Sequence, residues 1–546
     1  MKQKWAVVIL ILAGIVAYGN TAKNGLFWDD DEFITRNAYI RSFRYLPQWF
    51  SRPLTAGAGV NSNYYRPLLT ASFAIDYKLW GLWPAGYHIE NLLWHTAAGV
   101  LLFVFLRTLF SEKDSPWRTP RTVLNIAFAT ALLWLTHPVH VEAVAYANSR
   151  GDSMATVFIL VTLILWMKKR FWAGAAAFLA ALLSKEFAIV TPGLILLIES
   201  LRGGRFPRPA AGGARNDIGT KPVLLIFAIA AIYLLLRLTV LNFQNTLNFY
   251  GVDLAKVDQS QPLARYATSL PVRLMTFLKV LSIYGRILVW PNDLHMERTV
   301  EIATSWNDPT VLMTLITAII VLVLYKGLSF LRKDSPFRIF PFAVGWFFIS
   351  ILPVSGIIPI SQILAEHFLY LPSIGFSLIV SWFIITIIFK IIKTEKLQRI
   401  SLFLVFCFLF LVLLSKTIVQ NRVWRDAITF YEYTLSKTTP TARVYNNLAM
   451  AYADIGDHEK AISNYQSAIS LGDVYPNPHY NLGNTLVELG RVNEAEKEYK
   501  RALEIDPTFH YATLKLGQMF IDQGKIDEAK KLVCPVYLNL PLCLNR

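Results

Sequence analysis

The chain has 546 residues, 54% apolar and 16% charged, with a formal net charge of +16. Ordinary soluble domains carry about a quarter charged residues, so the composition excludes a purely soluble protein and reads as a polytopic membrane domain with a smaller soluble part. The charge is not a nucleic-acid footprint: residues 421–546 hold 14 Lys+Arg against 15 Asp+Glu, and the remaining excess of +17 lies in short loops between apolar runs, as the positive-inside rule expects.

Lys2 and Lys4 precede the first apolar run, Trp5–Ala22, and place the N-terminus in the cytoplasm. A cleaved signal peptide is the alternative reading of so short a run. Almost at once comes Gly25-Leu26-Phe27-Trp28-Asp29-Asp30-Asp31-Glu32. Four carboxylates at the mouth of a membrane helix repel one another and cost free energy unless something there uses them. None of them is expected to be needed for packing. The same outer loop, 23–88, holds the aromatic and basic stretch Arg41–Phe50. It also holds Tyr64-Tyr65-Arg66-Pro67-Leu68, which leads into an amphipathic stretch through Trp80. Both stretches read as helices on the membrane surface.

Further apolar segments run Ile89–Leu109, Thr122–Thr136, Met154–Met167, Phe171–Leu183, Phe187–Leu201, Val223–Leu241, Thr310–Tyr325, Ile339–Val354, Tyr370–Phe389 and Ile400–Val419. Several are shorter than the roughly 20 residues of a full span. Counted as spans with the first, these eleven put the basic loops Ser111–Arg121, Lys168–Arg170, Arg202–Lys221, Lys326–Arg338 and Lys390–Arg399 inside and the C-terminus outside. Pro271–Trp290 is apolar but carries Arg273, Lys279 and Arg286. It reads as an amphipathic helix in the outer interface, within the second long loop, 242–308, either a simple interfacial anchor or a helix whose basic side meets lipid phosphates.

The unusual polar groups gather in the outer loops. His88, Glu90, Asn91 and His95 open the second span. His137-Pro138-Val139-His140-Val141-Glu142 follows the third. Two histidines and a carboxylate in six residues are either divalent-metal ligands or interfacial hydrogen-bonding groups. Arg150 is either a phosphate ligand or the ion-pair partner of Asp152. Lys185-Glu186 occupies a tight turn as either a functional or a structural pair. Glu366-His367 heads the tenth span.

The C-terminal region repeats with a period of 34. Leu448, Leu482 and Leu516 align, as do Gly456, Gly490 and Gly524, and Ala461, Ala495 and Ala529. Small residues at these offsets let antiparallel helices pack closely. This is the tetratricopeptide pattern, whose grooves bind extended protein segments. Ala427 and Tyr431 sit 34 residues before Ala461 and Tyr465, so a half-repeat begins directly after the last span. About three and a half repeats fit, and the array is expected to be rigidly tied to the membrane domain. The boundaries expected are 1–420 and 421–546. Cys534 and Cys543 could pair in an oxidising compartment.

Phe27-Trp28-Asp29-Asp30, Tyr65-Arg66-Pro67-Leu68, Gly86-Tyr87-His88 with Asn91-Leu92-Leu93-Trp94-His95, and the His137–Val144 segment resemble the transmembrane and tetratricopeptide repeat-containing protein family. Arg150-Gly151-Asp152, Ser184-Lys185-Glu186 and Ala365-Glu366-His367 through Ser373 continue the match in order. That family is similar to the GT-C glycosyltransferases and related in architecture to protein O-mannosyltransferases. The resemblance implies an all-α fold, a polyprenyl-phosphate-linked sugar donor and a protein or peptide hydroxyl acceptor. It implies an Asp base in the first outer loop, Asp29 or Asp30, with Asp31 and Glu32 less critical. Donor-phosphate ligands would come from Arg150, Lys185 and Arg66. His88, His95, His137, His140, Glu142, Asp152, Glu186, Glu366 and His367 would form a supporting polar cluster. His367 stands where the family usually has Arg, a titratable cation in place of a fixed one. No cofactor is assigned, a divalent metal at His137, His140 and Glu142 stays open, and nucleic acid is not an expected partner. The rival reading is a membrane-anchored repeat scaffold without chemistry. The chain has no Asn-x-Ser/Thr sequon, which leans toward a bacterial inner membrane with periplasmic repeats.

Overall fold

The computed structural model describes residues 3–111, 120–202, 220–243, 262–330, 339–357, 362–537 and 543. Most of the expected basic loops Ser111–Arg121, Arg202–Lys221 and Lys326–Arg338 lie outside these residues. Every regular element among the described residues is helical, and the chain divides into two compact units, Met1–Arg425 and Asp426–Arg546.

The first unit begins with Gln3–Tyr18 (α1), followed by Leu46–Ser51 (α2), Pro67–Trp80 (α3), Pro84–Phe110 (α4), Pro120–Leu135 (α5), Val141–Ala145 (α6), Arg150–Met167 (α7) and Phe171–Ser184 (α8). It continues with Thr191–Leu201 (α9), Thr220–Leu238 (α10), Pro262–Thr268 (α11), Leu270–Val289 (α12), Pro309–Phe330 (α13), Ile339–Ile351 (α14), Ser373–Ile391 (α15) and Glu395–Asn421 (α16). Each expected apolar segment falls on a helix. Six helices among the described residues are long and apolar enough to cross a bilayer alone. Leu124–Leu135 with Pro138–Ala145, bent by 52°, makes a seventh, and Phe171–Ser184, Pro309–Val323 and Ile339–Val354 are shorter apolar helices. This is a multi-pass membrane protein.

In lipid a helix must satisfy its own backbone, and close packing rather than solvent exclusion joins helices. Gly375 lets α15 approach α14 so closely that a Cβ there would strike the carbonyl of Ala343. Trp134, Trp166 and Trp346 are fully buried. Their indole N–H groups donate at 3.0 Å to Tyr370 O, Glu199 Oε1 and Leu371 O. Proline sets the breaks. Pro138 follows the end of α5 and Pro372 precedes α15, so chain ends and polar side chains collect there.

The α12 cations find acceptors within the protein, and Arg286 stays largely exposed. Lys279 Nζ lies 2.9 Å from Asp308 Oδ2, Arg273 Nη1 donates to the carbonyls of Tyr266 and Ala267, and Arg286 lies 3.4 Å from Asp293. A cation at the edge of the bilayer is stabilised by such partners.

The second unit contains Ala427–Lys437 (α17), Ala442–Asp454 (α18), His458–Leu471 (α19), Pro476–Glu488 (α20), Val492–Ile505 (α21), His510–Asp522 (α22) and Ile526–Val533 (α23). Gly456, Gly490 and Gly524 turn the chain within each pair at φ of 79°, 74° and 76°, where a Cβ would be strained. Gly483 has no room for a side chain, since a Cβ would lie 2.6 Å from the Tyr499 ring. Asp426 and Thr441 cap α17 and α18 by accepting from Thr429 N and Val444 N. Cys534 and Cys543 are disulfide-bonded.

Candidate active site

The acidic run folds as a tight turn. Trp28 adopts φ 62°, and Asp29 O accepts from Glu32 N and Phe33 N at 3.0 Å. Asp30 turns inward and is 1% exposed. Its Oδ1 accepts from Asn148 N at 2.9 Å and its Oδ2 from Phe27 N at 3.4 Å. Burial pushes the Asp30 carboxyl well above its ordinary range, opposed by these two N–H donors and reinforced by Asp29 and Asp31. Asp30 is therefore part of the packing, contrary to expectation, because it ties the loop to the turn before α7. Asp29 is half-buried. Asp31 Oδ1 accepts from Thr35 Oγ1 at 2.6 Å.

Two ion pairs stand beside this turn. Arg66 grips Glu186 with Nε 3.2 and 3.1 Å from the two carboxylate oxygens and Nη2 3.0 Å from Oε2. Its guanidinium lies over the Tyr64 ring, 4.7 Å from the centroid. Lys185 Nζ lies 2.6 Å from Asp152 Oδ2. The expected Lys185–Glu186 pair is not formed. Lys185 is extended, at φ −159° and ψ 143°, and extended backbone sends neighbouring side chains to opposite sides. Burial lowers the Lys185 ammonium, partly offset by Asp152. Burial also favours the neutral form of Glu186, but Arg66 outweighs it and holds that carboxyl low. The Tyr64 hydroxyl is raised by burial first, with Arg66 opposing and Asp29, Glu186 and Glu32 reinforcing. Asp29 thus shares one electrostatic neighbourhood with Arg66 and Glu186, around Tyr64.

Arg150 belongs elsewhere. It is fully buried and pairs with Asp76 at 2.5 Å. It also donates to Asn91 Oδ1 at 2.7 Å, Ser72 Oγ at 3.2 Å and Tyr87 O at 3.0 Å. With its donors engaged inside the protein it cannot reach a phosphate, and its ion-pair partner is not Asp152. Arg150 braces α3 and α4 against α7. Burial raises Asp76 to about 6 even beside this guanidinium.

A second polar group lies at the head of α15. His367 Nδ1 is 2.6 Å from Glu142 Oε1, and His367 N donates to Oε2 at 3.0 Å. Glu366 Oε1 accepts from Arg298 Nη2 at 3.0 Å and His295 N at 2.7 Å. Burial lifts Glu366 to about 8, against the pull of Arg298.

The remaining histidines serve packing. His95 lies between Tyr370 Oη at 2.6 Å and Leu135 O at 2.9 Å. His88 Nε2 meets Gly25 O at 3.3 Å. His137 bridges Val139 N and Leu288 O, and His140 meets Ser373 Oγ at 2.8 Å. His137, His140 and Glu142 therefore take three separate sets of partners and do not converge on a metal. Among the described residues no group of three such side chains could hold one.

A tetratricopeptide repeat model matches residues 440–508. Over 481 residues the chain is 28% identical to protein O-mannosyl-transferase F38B6.6 of Caenorhabditis elegans, covering 86% of this chain and 63% of that one. It is 25% identical over 498 residues to protein O-mannosyl-transferase TMTC4 of Homo sapiens, covering 84% and 66%. It is 24% identical over 526 residues to protein O-mannosyl-transferase Tmtc3 of Drosophila melanogaster, covering 85% and 54%. The family likeness read from the motifs holds. The chain spans between 54% and 66% of the length of these relatives. Among solved structures it resembles ArnT from Cupriavidus metallidurans bound to undecaprenyl phosphate, at 13% identity and a TM-score of 0.40, covering 99% of this chain and 81% of that one.

The sequence reading missed Asp76 and Arg298. Asp76 lies 74 residues from its partner on a helix read only as amphipathic, and Arg298 lies in a loop where no motif marked it. Each has a charged neighbour in the chain, Lys78 near Asp76 and Glu297 beside Arg298, so no local signal set either apart.

Proposed function

We propose that the chain is a membrane glycosyltransferase that moves a sugar, mannose by analogy with the names of its relatives, from a polyprenyl phosphate to a Ser or Thr hydroxyl of a protein. The observation that carries this reading is two cations, Arg66 and Lys185, held at one turn by Glu186 and Asp152, with half-buried Asp29 in the loop whose Phe33 ring meets Tyr64, the ring that Arg66 covers. A hydroxyl is a poor nucleophile until a base accepts its proton. Asp29 takes that proton. The hydroxyl oxygen bonds to the anomeric carbon as the bond from that carbon to the phosphate oxygen breaks, inverting the configuration. Charge then develops on the lipid phosphate, where Lys185 and Arg66 offset it. Asp30 is the weaker candidate for base, since both its oxygens already accept backbone N–H groups.

The N-terminus lies in the cytoplasm and the repeats on the outer side, where the Cys534–Cys543 disulfide is stable. The repeats recruit the acceptor. A scaffold without chemistry would have no use for half-buried charge at a bundle end. The test is the full-length protein in nanodiscs with mannosyl-phosphoryl polyprenol and a Ser/Thr-rich peptide, read by mass spectrometry. A hexose added to the peptide is expected. Absence of any transfer from a panel of polyprenyl-phosphate sugars would overturn the reading. Reporters fused within Arg202–Lys221 and after Arg546 should report the cytoplasm and the outer compartment.

A further inference from the structure

A bulky residue at positive φ is a genuine outlier and persists only where its surroundings over-determine it. Trp28, at φ 62°, sits between Phe27 and the two aspartates. Its ring stacks on Tyr146 at 5.4 Å and 15°. Tyr146 stacks in turn on Trp424 at 5.4 Å and 28°, and Trp424 meets Phe27 at 6.3 Å. Trp424 is buried. The three rings come from three separate segments: the acidic loop, the turn before α7 and the turn after α16. Hydrogen bonds join the same segments. Gly25 N donates to Arg425 O at 2.8 Å, and Asn148 N to Asp30 Oδ1 at 2.9 Å. Asn421, on the last turn of α16, donates to Ala17 O and Asn20 Oδ1 at 2.8 and 2.7 Å.

We propose that Tyr146 and Trp424 are positioning residues for the acidic loop. Their stack holds Trp28 in its left-handed conformation, which fixes Asp29 while Asp30 turns inward. The functional consequence rests on reading Asp29 as the base. The mechanical part does not. A φ of 62° sets the direction in which the chain leaves Trp28 for Asp29 and Asp30, so releasing it would move both carboxylates. Offset stacking of aromatic rings is directional, so a partner that only fills volume replaces it poorly.

Two readouts on the full-length protein separate the loop from the chemistry. The first is amide hydrogen exchange across Gly25–Phe33, which follows local opening. Trp424→Ala and Tyr146→Ala should speed exchange there by about tenfold or more, while Trp424→Phe stays near wild type. The second is sugar transfer with mannosyl-phosphoryl polyprenol. The alanine variants should lose about 10- to 100-fold in kcat, with KM for donor little changed.

Trp28→Gly and Trp28→Ala form the decisive pair, because both lose the ring but only glycine adopts φ 62° without penalty. Trp28→Gly should retain more protection and turnover than Trp28→Ala. If the two behave alike, or if loop exchange is unmoved by Trp424→Ala and Tyr146→Ala, the proposal fails. If exchange changes as expected but neither wild type nor any variant transfers sugar, the positioning stands and the transferase reading fails.

Discussion

Lys185 and Glu186 are neighbours in the chain that face apart: Lys185 reaches Asp152 at 2.6 Å, while Glu186 takes Arg66 at 3.0 Å. The extended Lys185 backbone makes one tight turn serve two ion pairs. Removing one pair should therefore leave the other standing. The Arg66–Glu186 pair is partly open, with side chains 11% and 31% exposed. Its loss should cost more than the about 0–1 kcal/mol of a surface pair but less than the about 3–5 kcal/mol of a fully buried one. Arg66→Gln should lower the melting temperature moderately, less than Arg150→Met does, yet lower transfer by about 10²–10³-fold, as removal of a charge-stabilising donor does. A large stability loss with proportionate loss of activity would assign Arg66 to the scaffold.

Asp29 and Asp30 should part company on substitution. Asp29→Asn should keep the melting temperature and lose about 10²–10⁴-fold in rate, the usual cost of losing a general base. Asp30→Asn leaves one of two buried backbone N–H groups facing an amide instead of an oxygen. That should cost about 1–3 kcal/mol of stability, with a smaller loss of turnover. Thermal melts beside initial rates decide the matter, and the reverse pattern would move the base to Asp30.

How far the sequence carried differs between fold and site. Each apolar segment falls on a helix because hydropathy and the obligatory helical backbone in lipid leave little else. The repeats were legible because Leu448, Leu482 and Leu516, and the turn glycines, recur at a strict spacing. The acidic loop and the turns at Lys185 and Glu366 stood out as charge beside apolar runs. Partnerships did not. Arg150 pairs with Asp76 and Glu366 with Arg298 across segments far apart in the chain, and no local spacing encodes such contacts. The α12 cations' partners, Asp308 and Asp293, were hidden for the same reason.

The Arg150–Asp76 pair should behave as a buried structural unit. Both side chains are almost wholly inaccessible. Breaking such a pair by removing one partner costs about 3–5 kcal/mol, whereas replacing both with apolar groups of similar volume is often near neutral. Arg150→Met should greatly reduce folded protein, and Arg150→Met with Asp76→Leu should recover much of it. A full double-mutant cycle measured by thermal melting checks this. Additive losses would return Arg150 to the ligand-binding candidates.

Glu366 should make stability depend on pH. Its folded pKa, about 8, lies above the ordinary 4.5, so the folded state holds its proton more tightly than the unfolded chain. Its contribution is then greatest below about 4.5, declines as pH rises toward about 8 and is flat above that. Glu366→Gln keeps an acceptor for His295 N and Arg298 but cannot titrate. Relative to this variant, wild type should lose melting temperature steadily from pH 5 to pH 8. Parallel curves would mean that Arg298 keeps the carboxylate ionised throughout.

The repeats should matter for the acceptor's size rather than for donor use. The second unit, Asp426–Arg546, holds 12 Lys+Arg against 15 Asp+Glu, a net of −3, so capture of a partner by long-range charge is weak, and shape and main-chain contacts dominate. Deleting residues 440–546 removes the three full helix pairs and leaves α17. Transfer to a short peptide should survive this deletion, while transfer to a full-length acceptor protein should weaken. Raising salt from 50 to 500 mM shortens the screening length from about 14 to about 4 Å, and the size preference of the intact chain should hardly change. Competition by a short peptide against a full-length acceptor, measured in the same reaction with intact and truncated protein, gives the comparison directly. Equal loss of both substrates on truncation would mean that the repeats brace the membrane unit instead of presenting acceptor to it.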